Sequence, residues 1–226
     1  MSSDPVQRLY TERASLYDRL FVNLLGWGKE LQRFFQASDY LHPGDKILDA
    51  GCGTGVITRV LYQLALDKGY QGVQFHAFDL TQNMLDVFQQ WIAAQGAANI
   101  ELRQADVLEL EALPSNWNQY DMIVSSTMLE YLPAGKVERA LNNLQQGLKS
   151  GGTLLLFVTR RNLITRLLAE KWWQTTVYEE SEILSMLGRL GFNEIISRKL
   201  SPGWSGSIMA IQARKSRTLS LRLSSV

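Results

Sequence analysis

Ile47-Leu48-Asp49-Ala50-Gly51-Cys52-Gly53-Thr54-Gly55 runs from an apolar segment straight into three glycines spaced two apart. The spacing predicts a buried strand, a tight turn and a helix opening at about Val56. A backbone without side chains in such a turn can approach a ligand closely. A dinucleotide fingerprint has the form G-x-G-x-x-G. Counted from Gly51, that pattern needs glycine at position 56, where Val56 stands. The run is instead G-x-G-x-G, with Asp49 two residues before the first glycine.

Outward from this turn, strand and helix signals alternate. Lys46 to Ala50 reads as the first strand, and Val56 to about Lys68 as an amphipathic helix bearing Val60, Leu61, Leu64 and Ala65. Gln74 to Phe78 is a second strand, ending at Asp79. Thr81 suits a helix N-cap, followed by an apolar face of Met84, Leu85, Phe88 and Ile92. Ile100 to Ala105 is a third strand, ending at Asp106, and Tyr120 to Ser125 a fourth. A helix over 134–148 leads to Ser150-Gly151-Gly152, and Thr153 to Thr159 is apolar enough for a strand buried on both faces. Helices are expected over 162–173 and 179–190, the latter closed by Gly191. Ile195 to Leu200 and Ile208 to Ala213 read as a closing hairpin. Before the glycine turn, helical spacing extends to about Tyr40, broken near Leu24–Gly28. A second helix there is expected from Lys29, before the turn His42-Pro43-Gly44-Asp45. Alternation of this kind predicts a mostly parallel sheet with helices on both faces.

Open sheets of this type bind ligands beyond the carboxyl ends of their strands, where strand order reverses. Asp49, Asp79 and Asp106 fall at three successive strand ends, with Ser125, Ser126 and Thr127 at the fourth. Each acid alone has a plain reading as a turn or capping residue. Together they predict one crevice lined by three carboxylates.

The glycine turn with these acids resembles the motifs of class I S-adenosylmethionine-dependent methyltransferases, of the small-molecule type seen in quinone biosynthesis. Asp79-Leu80-Thr81 is similar to the family's Asp-Leu-Ser turn. Gln119 to Ser126, Met128 to Pro133 and Leu148 to Leu154 resemble its later strand motifs, so the likeness covers roughly 45–158. The resemblance implies an α/β fold: a Rossmann-like three-layer sandwich whose seven-stranded, mostly parallel sheet ends in an antiparallel hairpin beneath N-terminal capping helices. It implies a cofactor, S-adenosyl-L-methionine. Asp79 would take the ribose hydroxyls, which suit a bidentate carboxylate. Asp106 and Val107 would read the adenine edge, and Asp49 would hold the methionine amine. Gly51, Cys52 and Gly53 would pass beneath the methionyl-ribose part, with Leu80 and Met84 packed on the cofactor and Ser125 at the fourth strand end. Ala14 to Asp18 resembles, more loosely, a closing helix in which Tyr17 contacts the cofactor. The domain reading that follows is a single unit over 1–226. It has a helical cap over 1–42, the cofactor core over 43–160, substrate-side helices and hairpin over 161–215, and a basic tail over 216–226.

Methyl transfer from a sulfonium needs alignment and exclusion of water more than a dedicated catalytic residue. Where many relatives carry His after the fourth strand, this chain has Glu130-Tyr131, which makes Glu130 the candidate base or substrate contact. His76 lies inside a strand and reads as a core histidine; Cys52 reads as a small packing residue. No metal ligand set is expected. An Asn-Pro-Pro-Tyr-type motif after the fourth strand is absent, as is an appended basic domain for nucleic acid. A small apolar or aromatic acceptor is the simplest reading. Arg160, Arg161, Arg166 and Lys171 alternate with Leu163, Ile164, Leu167, Leu168 and Trp172, so the 161–173 helix or the tail is a candidate for peripheral membrane contact. The net charge of +1, the single cysteine and the polar start fit a cytoplasmic protein. Two alternatives stand beside this reading: an NAD-dependent oxidoreductase, which Val56 disfavours, and a non-catalytic S-adenosylmethionine-binding protein.

Overall fold

Seven strands form one sheet in the order β3-β2-β1-β4-β5-β7-β6. The computed structural model describes residues 26–133, 135–161 and 176–217. The strands are β1 (Lys46–Ala50), β2 (Gln74–Asp79), β3 (Ile100–Gln104), β4 (Tyr120–Ser126), β5 (Leu148–Thr159), β6 (Phe192–Arg198) and β7 (Ile208–Lys215). β1 pairs in parallel with both β2 and β4, so strand order reverses beside β1. β7 runs antiparallel to both β5 and β6, which is the expected closing hairpin.

The described helices are α1 (Trp27–Gln36), α2 (Val56–Asp67), α3 (Gln82–Gln95), α4 (Val137–Gly147) and α5 (Glu180–Arg189), with a single turn at Pro202–Ser205. Side chains alternate across the sheet, and each face builds its own core. Ile47, Phe75, Val124, Leu155 and Ala210 face α1, α2 and α3 through Leu31, Leu61 and Phe88. Leu48, Phe78, Ile123, Leu154 and Ile211 face α4 and α5 through Leu141 and Leu187. The result is the three-layer sandwich. Among the described residues no helix is long and apolar enough to cross a membrane.

Several boundaries differ from expectation, among them β6, found at Phe192–Arg198, and β7, which runs on to Lys215; two differ for a clear local reason. α1 begins at Trp27, not Lys29, because Gly26 takes the left-handed conformation (φ 73°) at its N-cap. The glycines that break the sequence pattern therefore start the helix. β5 begins at Leu148, not Thr153. Tyr120 pairs with Leu148 and Met122 with Thr153, so residues 149–152 bulge from the ladder. Gly152 permits the bulge, since a Cβ there would lie 2.8 Å from the Tyr120 carbonyl oxygen. α4 starts at Val137. The expected first helix with Tyr17, the 162–173 helix with Trp172, and the end of the basic tail lie outside the described residues.

Candidate functional site

The glycine turn connects β1 to α2 with the backbone folded tightly on itself. The Cys52 N–H donates to the Phe78 carbonyl at 2.9 Å, and the Gly55 N–H to the Cys52 carbonyl at 2.8 Å. The three glycines do different work. A Cβ on Gly51 would strike the Met128 side chain at 2.6 Å, and one on Gly55 the Phe88 ring at 2.4 Å. Gly51 and Gly55 thus serve packing within the protein. Gly53 meets nothing within 4 Å and faces the open crevice, so its missing side chain leaves room for a ligand.

Asp49, Asp79 and Asp106 all line this crevice, at the ends of β1, β2 and beyond β3. Asp49 is buried, and its Oδ2 accepts the Thr58 hydroxyl at 2.7 Å and the Thr58 N–H at 3.2 Å. It thereby satisfies an open donor in the first turn of α2. Burial pushes its carboxyl up to about 7; the Thr58 bonds work against that, and nearby Asp79 adds to it. Asp79 accepts the Gly53 N–H through Oδ2 at 2.8 Å and the Thr81 N–H through Oδ1 at 2.9 Å. Burial raises its pKa too, against the pull of those bonds. The Thr81 hydroxyl and the Leu80 N–H bond to it as well, so both adjoining turns hold the carboxylate in place. Asp106 accepts the Leu108 N–H at 2.8 Å through Oδ1. Thr81 stands at the N-cap of α3, yet its hydroxyl makes no cap bond and turns to Asp79.

Cys52, Leu80, Met84 and Val107 line the crevice as expected. Leu80 is 41% exposed and presents apolar surface to the crevice. The Cys52 thiol is buried and its pKa raised by that burial, which suits a packing residue rather than a nucleophile.

Two of the sequence candidates fall elsewhere. Ser125 is buried and its hydroxyl donates to the Ala50 carbonyl at 2.8 Å, tying β4 to β1. Its neighbour Ser126 lines the crevice instead. Strand alternation makes a one-residue displacement a change of face. Glu130, the candidate base, is not on the crevice wall; its carboxylate turns away to the Thr159 N–H at the end of β5. Thr127 lines the crevice beside Ser126, and Trp27, Phe78, Met128, Tyr131 and Leu132, which the sequence did not single out as lining residues, add to the wall. Trp27 packs on Phe157 and Trp204, with ring centroids 5.6 and 4.9 Å away. A lone tryptophan between two glycines is the only local signal for it in the sequence.

The crevice would accommodate a nucleoside with a charged tail. It has three acids at spaced positions, a bare backbone at Gly53 and apolar walls from Phe78, Met84 and Val107. Val56 sits where the dinucleotide pattern needs glycine and itself lines the crevice.

Residues 47–152 match the family described as methyltransferase domain. Over that stretch, just under half of its length, the chain is similar to methyltransferase domains. The chain is 30% identical over 131 residues to a malonyl-(acyl-carrier protein) O-methyltransferase of Anoxybacillus flavithermus, covering 58% of this chain and 44% of that one. It is 29% identical over 153 residues to a demethylmenaquinone methyltransferase of Symbiobacterium thermophilum, covering 66% of this chain and 57% of that one. The chain spans about half the length of these two relatives and less than a tenth of some others it matches. Its fold is similar to that of phosphoethanolamine N-methyltransferase 2 of Haemonchus contortus solved with S-adenosyl-L-methionine. The TM-score is 0.72 at 18% identity, over 96% of this chain and 61% of that one.

Proposed function

We propose that this domain binds S-adenosyl-L-methionine and transfers its methyl group to a small-molecule acceptor. The observation that carries the proposal is the convergence of Asp49, Asp79 and Asp106 with open Gly53 in one crevice, at the point where strand order reverses. Asp79 would take the ribose hydroxyls and Asp106 with Val107 the adenine. Asp49 would face the amine of the methionine tail, and Leu80 and Met84 would pack on the nucleoside. When bound, the cofactor would supply a sulfonium methyl group, which the acceptor's nucleophile would take in line as the sulfur leaves as the thioether S-adenosylhomocysteine. The protein's part is to fix both reactants and exclude water. No general base is assigned, because Glu130 faces away from the crevice.

The acceptor is proposed to be apolar or aromatic. Trp27, Met128, Tyr131 and Leu132 add apolar and aromatic surface to the crevice lining. The name of the demethylmenaquinone relative fits such an acceptor, while the malonyl-(acyl-carrier protein) and phosphoethanolamine enzymes show that related proteins methylate other groups. Calorimetry with S-adenosylhomocysteine and with NADH tests the cofactor. Binding of the former alone supports the proposal, and binding of NADH alone overturns it. Methyl incorporation from labelled S-adenosylmethionine into quinols, phenols and acyl carriers tests the acceptor class.

A further inference from the structure

Glu130 lies between residues that face the crevice, Met128 before it and Tyr131 and Leu132 after it, yet it points elsewhere. It is only 3% exposed. The Thr159 N–H donates to its Oε1 at 2.5 Å, and the Thr159 hydroxyl bonds to the same carboxyl. Its own backbone carbonyl accepts the Thr176 N–H at 2.8 Å. One residue is therefore bonded to the chain where it leaves β5 and again where it returns before α5. The same two stretches meet directly. The Arg161 N–H donates to the Tyr178 carbonyl at 2.8 Å, and Arg160 pairs with Glu180 at 2.7 Å.

The carboxyl's other oxygen, Oε2, is buried with no hydrogen-bond partner among the described residues. A charge left bare in that position is costly. Burial raises the Glu130 pKa, in the direction of the neutral acid. A neutral carboxyl that accepts through one oxygen has the shape and bonding of glutamine.

We infer that Glu130 is a positioning residue that clips the crevice-wall turn Met128–Leu132 to both sides of the connection between β5 and α5, by reach and hydrogen bonding rather than by charge. The consequence for ligand affinity rests on the cofactor reading above; the clip itself does not.

Three variants separate reach from charge. Glu130→Gln keeps reach and loses the ionisable group. Glu130→Asp keeps the ionisable group and falls short of Thr159. Glu130→Ala loses both. Hydrogen exchange without ligand reads the clip at the Thr159 and Thr176 amides. Both are expected to stay protected in the wild type and Glu130→Gln, and to exchange faster in Glu130→Asp and Glu130→Ala. Calorimetry then reads S-adenosylhomocysteine affinity, expected within about twofold of wild type for Gln and about tenfold weaker for Asp and Ala. Rapid exchange in Glu130→Gln, or full protection in Glu130→Asp, overturns the inference. Should Glu130→Ala fail to fold, the Gln and Asp pair still decides. If the wild type does not bind S-adenosylhomocysteine, the cofactor reading fails, while the exchange pattern still supports or overturns the clip.

Discussion

Asp79, at the end of β2, accepts the Gly53 N–H of the β1–α2 turn at 2.8 Å. The residue expected to receive the ribose therefore also holds the glycine turn in place. Its second oxygen accepts the Thr81 N–H at the start of α3, so one carboxyl links two ligand-facing turns. Such a bonded carboxylate is oriented before any ligand arrives, which lowers the cost of binding.

Asp79→Ala would remove both the proposed ribose contact and the link between turns. Affinity for S-adenosylhomocysteine is expected to fall by at least roughly a hundredfold, from a charge-assisted bidentate contact and the lost order. Asp79→Asn keeps one acceptor oxygen and should fall between. Titration calorimetry on variants whose far-ultraviolet dichroism matches wild type measures this. Unchanged affinity in Asp79→Ala would show that the ribose lies elsewhere.

With Asp49 at the amine of the cofactor, as proposed, affinity is expected to depend on pH. Its carboxyl is held up to about 7 by burial, so the free protein carries much of it protonated in mild acid. An ammonium ligand needs the ionised form. Affinity should rise roughly tenfold between pH 5.5 and 7, below the pKa of about 7.7–8.0 typical of an α-amine. The same shift bears on stability with the opposite sense. A carboxyl with a raised folded-state pKa favours folding below its unfolded value of 3.8 and loses that contribution as pH rises through 7. Asp49→Asn should thus stabilise the free protein at pH 7.5 while weakening the ligand and flattening its pH profile. A pH-independent wild-type affinity over that range would remove Asp49 from the amine site.

Much of this architecture is legible in the chain because its signals are local. β1 was expected over Lys46–Ala50 and is found there, since an apolar run ends at a turn only glycines allow. The buried face Met84, Leu85, Phe88 and Ile92 of α3 follows from helical period alone. Side-chain direction at strand ends is less legible. Ser125 and Ser126 are chemically alike, and only the pairing of Ser126 with Phe157 sets which one faces the crevice. Glu130 is a harder case. Its partners Thr159 and Thr176 are 29 and 46 residues away, contacts that no local pattern encodes.

His76 gives stability an acid limit unrelated to the crevice. It is buried in β2, with Nδ1 2.8 Å from the Tyr120 hydroxyl and its ring stacked on Trp117 at 4.4 Å. Burial, with Lys46 nearby, lowers its pKa to about 4. The unfolded chain binds the proton more readily, so stability is complete above pH 6.5 and lost as pH falls towards 4. A shift of this size corresponds to at most about 3 kcal/mol. Urea unfolding of wild type and His76→Gln from pH 4 to 7.5 isolates it. The wild-type curve should fall more steeply with acid, and parallel curves would refute the assignment.

The glycines of the turn should separate folding from binding. Gly53 and Gly55 both have positive φ, 53° and 84°, so alanine at either costs about 1–2 kcal/mol in backbone conformation. Only Gly55 adds a collision, with the Phe88 ring 2.4 Å from the new Cβ, where overpacking costs about 1–3 kcal/mol more. Gly53→Ala places its methyl in open space on the crevice side. Gly55→Ala should therefore lower the melting temperature clearly more than Gly53→Ala. Gly53→Ala should lose S-adenosylhomocysteine affinity out of proportion to its modest destabilisation, because its methyl occupies the surface the ligand needs. Thermal melting and calorimetry on both variants give the four numbers. If Gly53→Ala binds like wild type, the ligand does not lie against the turn, and the role assigned to this backbone fails even if the fold and the three acids stand as described.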